Sequence, residues 1–331
     1  MLPPLSQKAH NPRLGIGGIP VPCEFTKTTL SDMTYRLKRS DKTTEAALRR
    51  IAVEEIDAAL AELDAPRLGL TEKVHALRKR SKKLRALIRM VRPDFPAYAR
   101  ENAAIRDAAR RLSALRDRDS MIEAFDRLAA AGRLSDLPVG VAPLRAHLLA
   151  GRARAMARTD IEADLAAFRE TMVALRERAR SWTLYGHGFR PLRRGLERTF
   201  ARARSGQRAA ARRPKDAQLH DWRKRVRYHG FHTRLMRPLG PERLRRRSER
   251  IDRLSELLGE HHDLALLGAH VAASPDLPGG PELRAELCAR IAARQAELAA
   301  RAQKLGRKLF SQPGGTFGRL WKRRWKAWRR A

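Results

Sequence analysis

The chain has 331 residues, enough for two ordinary domains, and carries 71 Lys and Arg against 36 Asp and Glu, a formal net charge of +35. That excess goes beyond the charge of roughly 2–8 that keeps a small domain soluble, and it opposes compaction unless a counter-charge arrives, which points to a polyanionic partner. Two distant cysteines, Cys23 and Cys288, exclude a disulfide framework or zinc cluster and suit a reducing, cytoplasmic setting, while the lack of a signal-peptide pattern in residues 1–8 and of any long apolar run excludes a secretory leader and a transmembrane helix.

Residues 1–34 contain Pro3, Pro4, Pro12, Pro20 and Pro22 and read as an irregular arm. Helical patterning starts near Thr44, with Leu48, Ile51, Ile56, Leu60 and Leu63 at helix-compatible spacing, and Pro66 and Gly69 end it. A second helix runs over 71–91 and stops before Pro93, with Glu72 in its first turn suiting the helix dipole. Helices follow over 97–114 and 117–131, closed by Gly132 and Pro138. Those over 143–157 and 159–182 read as a bridge between two halves. A second set spans 189–205, 215–236, 241–258 and 260–273, jointed by Pro214, Pro238 and Gly240. After a loop over 274–281 comes a long helix over 282–310. No strand periodicity occurs, and a supply of Leu and Ala with only 5% aromatics favours an all-α fold.

The two sets repeat each other. His75, Arg78, Lys79, Arg80 and Lys82 recur as His220, Arg223, Lys224, Arg225 and Arg227, 145 residues on. Leu112–Leu115 matches Leu254–Leu257 at 142, and Asp119 matches Asp263 at 144. Near-constant offsets indicate an internal duplication.

His75, Arg78, Lys82, Arg85 and Arg89 share one helix face, flanked by Lys79 and Lys83, beside an apolar stripe of Val74, Leu77, Leu84, Ile88 and Val91. No acid lies between Lys73 and Val91, although stacked like charges weaken an isolated helix. The second helix aligns His220, Arg223, Arg227 and Arg234, with Lys224 beside them, and upstream Arg190, Arg194, Arg198 and Arg202 recur every fourth residue. Together these make a basic track. The arginine fork can bridge two phosphate oxygens, lysine acts as a point charge, and histidine becomes cationic against an anion.

The pattern H-x-x-R-x-x-x-K-K-L-R at His75–Arg85, its partner H-x-x-R-K-R-x-R at His220–Arg227, and R-D-x-D at Arg116–Asp119 resemble the CHAD family, the conserved histidine α-helical domain, over residues 35–310. The resemblance implies two pseudo-symmetric four-helix bundles, 35–157 and 158–310, a basic groove, and binding of inorganic polyphosphate, with association with polyphosphate granules. Carried over by position, its groove residues are His75, Arg78, Lys82, Lys83 and Arg85, then His220, Arg223, Lys224 and Arg227. Tyr228, His229 and Gly230 stand where the first motif has Lys83, Leu84 and Arg85, which implies unequal contributions from the halves.

No catalytic residue, metal ligand set or cofactor is expected. His261 and His262 point to different helix faces, so His262 and Asp263 read as braces of the groove, and Asp117 and Asp119 as orienting partners for Arg116 and Arg118. The triphosphatase domain fused to many family members needs an E-x-E-x-K strand, and no such motif occurs here; a G-x-x-x-x-G-K-[ST] loop and a G-x-S-x-G elbow are also absent. The alternative partner is nucleic acid held without sequence preference. From Arg301 onward there are eleven Lys and Arg and no acid. In the tail, 311–331, Trp321, Trp325 and Trp328 form one face, expected to dock on the second core, with a membrane or nucleic-acid surface as the alternative.

Overall fold

Thr43 caps the first helix of the computed structural model, which describes residues 35–157 and 160–331; its hydroxyl accepts the Ala46 N–H at 2.9 Å. Helix α1 then runs Thr44–Asp64 and ends before Pro66. Helix α2 spans Leu70–Met90, opened by the Glu72 carboxylate accepting the Gly69 N–H at 3.0 Å, and a 3-10 turn at Arg92–Asp94 follows it. Next come α3 (Tyr98–Arg111), α4 (Ser113–Ala130), α5 (Val141–Ala157) and α6 (Ile161–Arg180), the last capped by Asp160. The remaining helices are α7 (Arg190–Arg212), α8 (Asp216–Leu235), α9 (Pro241–Ala272), α10 (Gly280–Leu309) and α11 (Gly314–Arg330). No strand occurs among the described residues, so the all-α expectation holds; the expected arm over 1–34 lies outside them.

One expected joint is absent. Gly259 sits inside α9, which is continuous where two helices were expected. A glycine costs a helix interior about 1 kcal/mol relative to alanine. Buried Ile251, Leu254, Leu258, Leu264 and Leu267 on the same helix contribute about 1.5–3 kcal/mol each, so packing wins.

The helices form two groups of four. In the first, α1 packs on α2 and α6, and α3 packs on the same two. In the second, α7 packs on α8, α8 on α9, α9 on α10, and α10 on α7. The expected boundary at 157/158 therefore assigns α6 to the wrong neighbours: buried Phe168, Met172 and Leu175 belong to a helix packed against α1 and α3. The hairpin α4–α5 reaches across, with α4 against α9.

Burial repeats between the groups. In α1, Ala47, Leu48, Ile51, Ala52, Glu55, Ile56, Ala59 and Leu63 are buried; so, each 144 residues on, are Pro191, Leu192, Gly195, Leu196, Thr199, Phe200, Ala203 and Gln207 in α7. Likewise Val74, Leu77, Ser81, Leu84 and Ile88 of α2 correspond in burial, at 145, to Leu219, Trp222, Val226, His229 and Thr233 of α8.

Two close approaches join the elements around the functional surface. A side chain at Gly195 would place its Cβ 1.6 Å from the Met90 carbonyl oxygen, so only glycine lets α7 lie this close to the end of α2. Trp222 fills the space left by Gly206 and Gly306, where added Cβ atoms would meet its ring at 3.2 and 2.5 Å. The tail helix α11 packs on α7: Phe317 and Trp321 are buried, whereas Trp325, 5.5 Å from the Phe189 ring, and Trp328 are only partly covered, and Arg329 donates to the carbonyls of Arg39, Asp41 and Lys42 beside the first group.

Candidate polyanion cleft

Five helices, drawn from both groups and from the α4–α5 hairpin, surround a cleft of about 510 Å³. From α2 come Arg78 and Lys82; from α4, Arg116, Asp117, Ser120, Glu123 and Arg127; from α8, Arg223 and Arg227; from α9, Arg253, Glu256, Glu260, His262 and Asp263; and from α10, Arg294 and Arg301. Nine Arg and Lys thus face five carboxylates, and His262 is the sole aromatic ring of the lining among the described residues. The carboxylates do not converge. Glu123 pairs with Arg116, Asp263 with Arg127 at 3.3 Å, and Glu260 with Arg294 at 2.7 Å, which holds the guanidinium groups in place. Among the described residues no three His, Cys, Asp or Glu side chains cluster to hold a metal.

The cleft disfavours added positive charge. His220 and His262 meet at 3.0 Å between their Nδ1 atoms. Burial, with Arg223, His220 and Arg227 nearby, pushes the His262 pKa down to about 3. Burial and the charges of Lys224 and Arg223 lower that of His220. Burial also raises the Asp263 and Asp117 carboxyls, with neighbouring arginines opposing that shift.

Farther along the same face of α2, Arg89 and Arg92 meet Arg198, Thr199 and Arg202 of α7 and Arg225 and Tyr228 of α8 in a small corner of about 10 Å³. The Arg89 guanidinium lies 4.3 Å from the Tyr228 ring centroid.

A profile of the CHAD domain matches residues 46–272. The chain belongs to the CHAD family. No curated protein matches the sequence. Among solved structures, PptA from Streptomyces chartreusis is similar, with a TM-score of 0.61 and 19% identity over 82% of this chain and 100% of that chain; at this identity the likeness is one of fold.

Within this CHAD chain the fourteen residues expected at the site separate. Arg78, Lys82, Arg223 and Arg227 line the cleft, and His220 touches its wall through His262. Arg89 and Arg198 belong to the arginine corner. His75 and Lys79 are half-buried on α2 and Lys224 is exposed on α8, all outside either lining. Arg85 donates to Asn102 at 3.2 Å, and Arg190 is exposed at the start of α7. Arg194 pairs with buried Asp94 at 3.1 Å instead of joining a track.

Lys83 is a correction. It is 1% exposed and pairs with fully buried Glu55 at 3.2 Å, and its own carbonyl accepts the Tyr35 hydroxyl. Arg80 completes the network through Glu55 at 2.9 Å and Glu62 at 2.7 Å. Burial opposes the Arg80 charge, but the Glu62 hydrogen bonds and the Glu55 charge outweigh it and raise its pKa. The Lys83 ammonium thus serves the core of the first group.

The expected aspartate roles also change. Asp119 accepts from Arg152, not from a neighbour in its own motif, and Arg116 turns to Glu123. Asp263 does brace an arginine, Arg127. Arg127, Arg253, Arg294 and Arg301 were not singled out from the sequence. The first three stand close in sequence to Glu123, Glu256 and Glu297, a spacing shared by ordinary solvated faces.

Proposed function

We propose that the chain binds inorganic polyphosphate in the cleft between its two helix groups and performs no chemistry on it. The observation that carries this reading is the lining: nine cations from five helices, arranged around a cleft whose only ring among the described residues is an imidazole. A flexible chain of phosphates needs many charge-assisted donors along its path and no stacking platform, whereas single-stranded nucleic acid draws on aromatic platforms. Membership of the CHAD family and a fold like that of PptA support the same reading.

The two groups are read as products of an internal duplication, supported by burial that repeats at 144 and 145 residues. The cleft is then a basic groove at the junction of two pseudo-symmetric units. Its carboxylates orient arginines, which favours binding over hydrolysis. Among the described residues no helix is long and apolar enough to cross a membrane. A cytoplasmic protein that gathers on polyphosphate granules fits the proposal.

The test is competition at fixed salt between long-chain polyphosphate and duplex DNA of equal charge. Polyphosphate is expected to displace the DNA, and R78A/K82A to weaken polyphosphate binding about tenfold or more, since charge-assisted bonds contribute about 1.5–3 kcal/mol each. The control is K322A/K326A on the exposed side of α11. Equal losses from the two variants would mean that net charge, not a site, holds the ligand; DNA winning the competition would replace polyphosphate with nucleic acid.

A further inference from the structure

The arginine corner is built differently from the cleft. Five guanidinium groups, Arg89, Arg92, Arg198, Arg202 and Arg225, surround it, and no carboxylate belongs to its lining among the described residues. Among the described residues the only acid paired with any of them is Asp221, half-exposed and 3.2 Å from Arg225. Arg198 and Arg202 have no ion-pair or hydrogen-bond partner among the described residues, and the Nε of Arg89 is buried without an acceptor. Burial and then the charges of Arg225, Arg198, Arg92 and Arg89 lower the Arg202 pKa. The close approach at Gly195 forces these charges together by laying α7 on the end of α2.

The repeated burial register shows what the corner lacks. Arg225 stands where α2 has Arg80, and Tyr228 where it has Lys83. Around Arg80, α1 supplies Glu55 and Glu62. At the corresponding positions α7 has Thr199 and Gly206, and Glu54 is replaced by Arg198. Three carboxylates are thus gone and one arginine gained, at a place where the fold again brings a basic helix against its neighbour. Among the described residues only Asp221 offers negative charge there.

We propose that this corner is a subsite for the terminal phosphoryl group of a polyphosphate chain. A terminal group exposes three oxygens and takes a second negative charge near pH 6, whereas an internal phosphate exposes two and carries one charge. The free space of the corner, about 10 Å³, is that of about one water, so a chain cannot thread through it and a terminal phosphoryl group sits at its mouth against the guanidinium groups. Arg198, Arg202, Arg225 and Arg92 supply the guanidinium donors, and the Thr199 hydroxyl is a further donor in the lining. The cleft and the corner share one face of α2, with Arg89 about 16 Å along the helix from Arg78. A chain held in the cleft can therefore place its end in the corner, which couples the two contacts as linked sites. This inference rests on the proposed function for its ligand, while the corner stands on its own residues.

The experiment is calorimetric titration of the full chain with linear tripolyphosphate and with cyclic tetrametaphosphate, which has similar charge near neutral pH and no terminal group. The unaltered protein is expected to prefer the linear compound about tenfold, the worth of one charge-assisted contact. R198Q/R202Q, with unchanged far-ultraviolet circular dichroism, is expected to bring the ratio near one. R78A/K82A in the cleft is expected to weaken long-chain binding and leave the ratio intact. Equal affinity of the unaltered protein for both compounds, or a preference that survives in R198Q/R202Q, overturns the subsite. Failure of long-chain binding alone, with the linear preference retained and lost in R198Q/R202Q, overturns the cleft reading and leaves the corner as a site for short linear phosphates.

Discussion

Arg80 and Arg225 occupy the same step of two corresponding helices, yet one is a structural cation paired with two glutamates and the other stands in a cluster of arginines. Around Arg80, the helix α1 carries Glu45, Glu54, Glu55, Asp57, Glu62 and Asp64. Around Arg225, the helix α7 carries Glu197 as its one acid and eight arginines. The basic motif is nearly the same in both, so the motif does not decide the role. The neighbouring helix decides it, by providing or withholding carboxylates within reach of the guanidinium. An Arg and a Lys neutralised by two glutamates hold a core together; five arginines with one exposed acid beside them repel one another and, on the proposal above, receive an anion.

The largest expected effect breaks the first half of this comparison. E55A leaves Arg80 and Lys83 buried with fewer counter-charges and should destabilise the protein by about 3–5 kcal/mol, read as a lowered denaturation midpoint. R225A, by contrast, should cost little stability, because it removes a charge from a repelling cluster. A loss from R225A as large as that from E55A would show that the two arginines do the same work.

A smaller effect sharpens the comparison by converting one half into the other. T199E restores the carboxylate that α1 supplies through Glu55. The unliganded protein should then melt at a higher temperature, and tripolyphosphate should bind about tenfold more weakly. Unchanged affinity would mean that the corner does not meet the ligand.

The smallest effect concerns acidity in the cleft, which the corner lacks. His262 titrates at about 3 because burial and then Arg223, His220 and Arg227 oppose its protonation. A polyanion laid beside it raises the pKa of the bound state, so binding takes up a proton. Affinity should therefore rise as pH falls through the raised bound-state value, and continue to rise toward the free value of about 3. H262Q should flatten this dependence in binding measured from neutral pH down toward that free value; an unaltered slope would place the proton elsewhere.

The helices were legible because Pro66, Pro93, Gly132, Pro138, Pro214 and Pro238 punctuate strong apolar periodicity. Periodicity reports a buried face but not the helix that covers it, which is why α6 was assigned to the second bundle although it packs on α1 and α3. Gly259 misled because a single glycine is a weaker force than the buried leucines around it. At the site, Arg78, Lys82, Arg223 and Arg227 were legible from a repeated line of charge. Lys83 lies beside that line, and its partner Glu55 is 28 residues away in the sequence, beyond any local pattern. The corner was half visible: Arg89 and Arg198 were singled out, but their meeting depends on the approach at Gly195, which no spacing rule reveals.

The cleft joins α2 and α4 to α8, α9 and α10, and Arg127 reaches Asp263 across 136 residues of chain. During synthesis from the N-terminus at about 5–20 residues per second, the first group, α1, α2, α3 and α6, can gather early, while Arg78 and Lys82 wait many seconds for the opposing wall. Contacts this distant in sequence are slow to form. For that interval the nascent chain displays a basic helix with one wall of its site missing, beside the polyanionic ribosomal RNA that is making it. The acids of α1 then have a second consequence: by neutralising Arg80 and Lys83 inside the first group, they reduce the charge that the half-made protein offers to RNA before the cleft has closed.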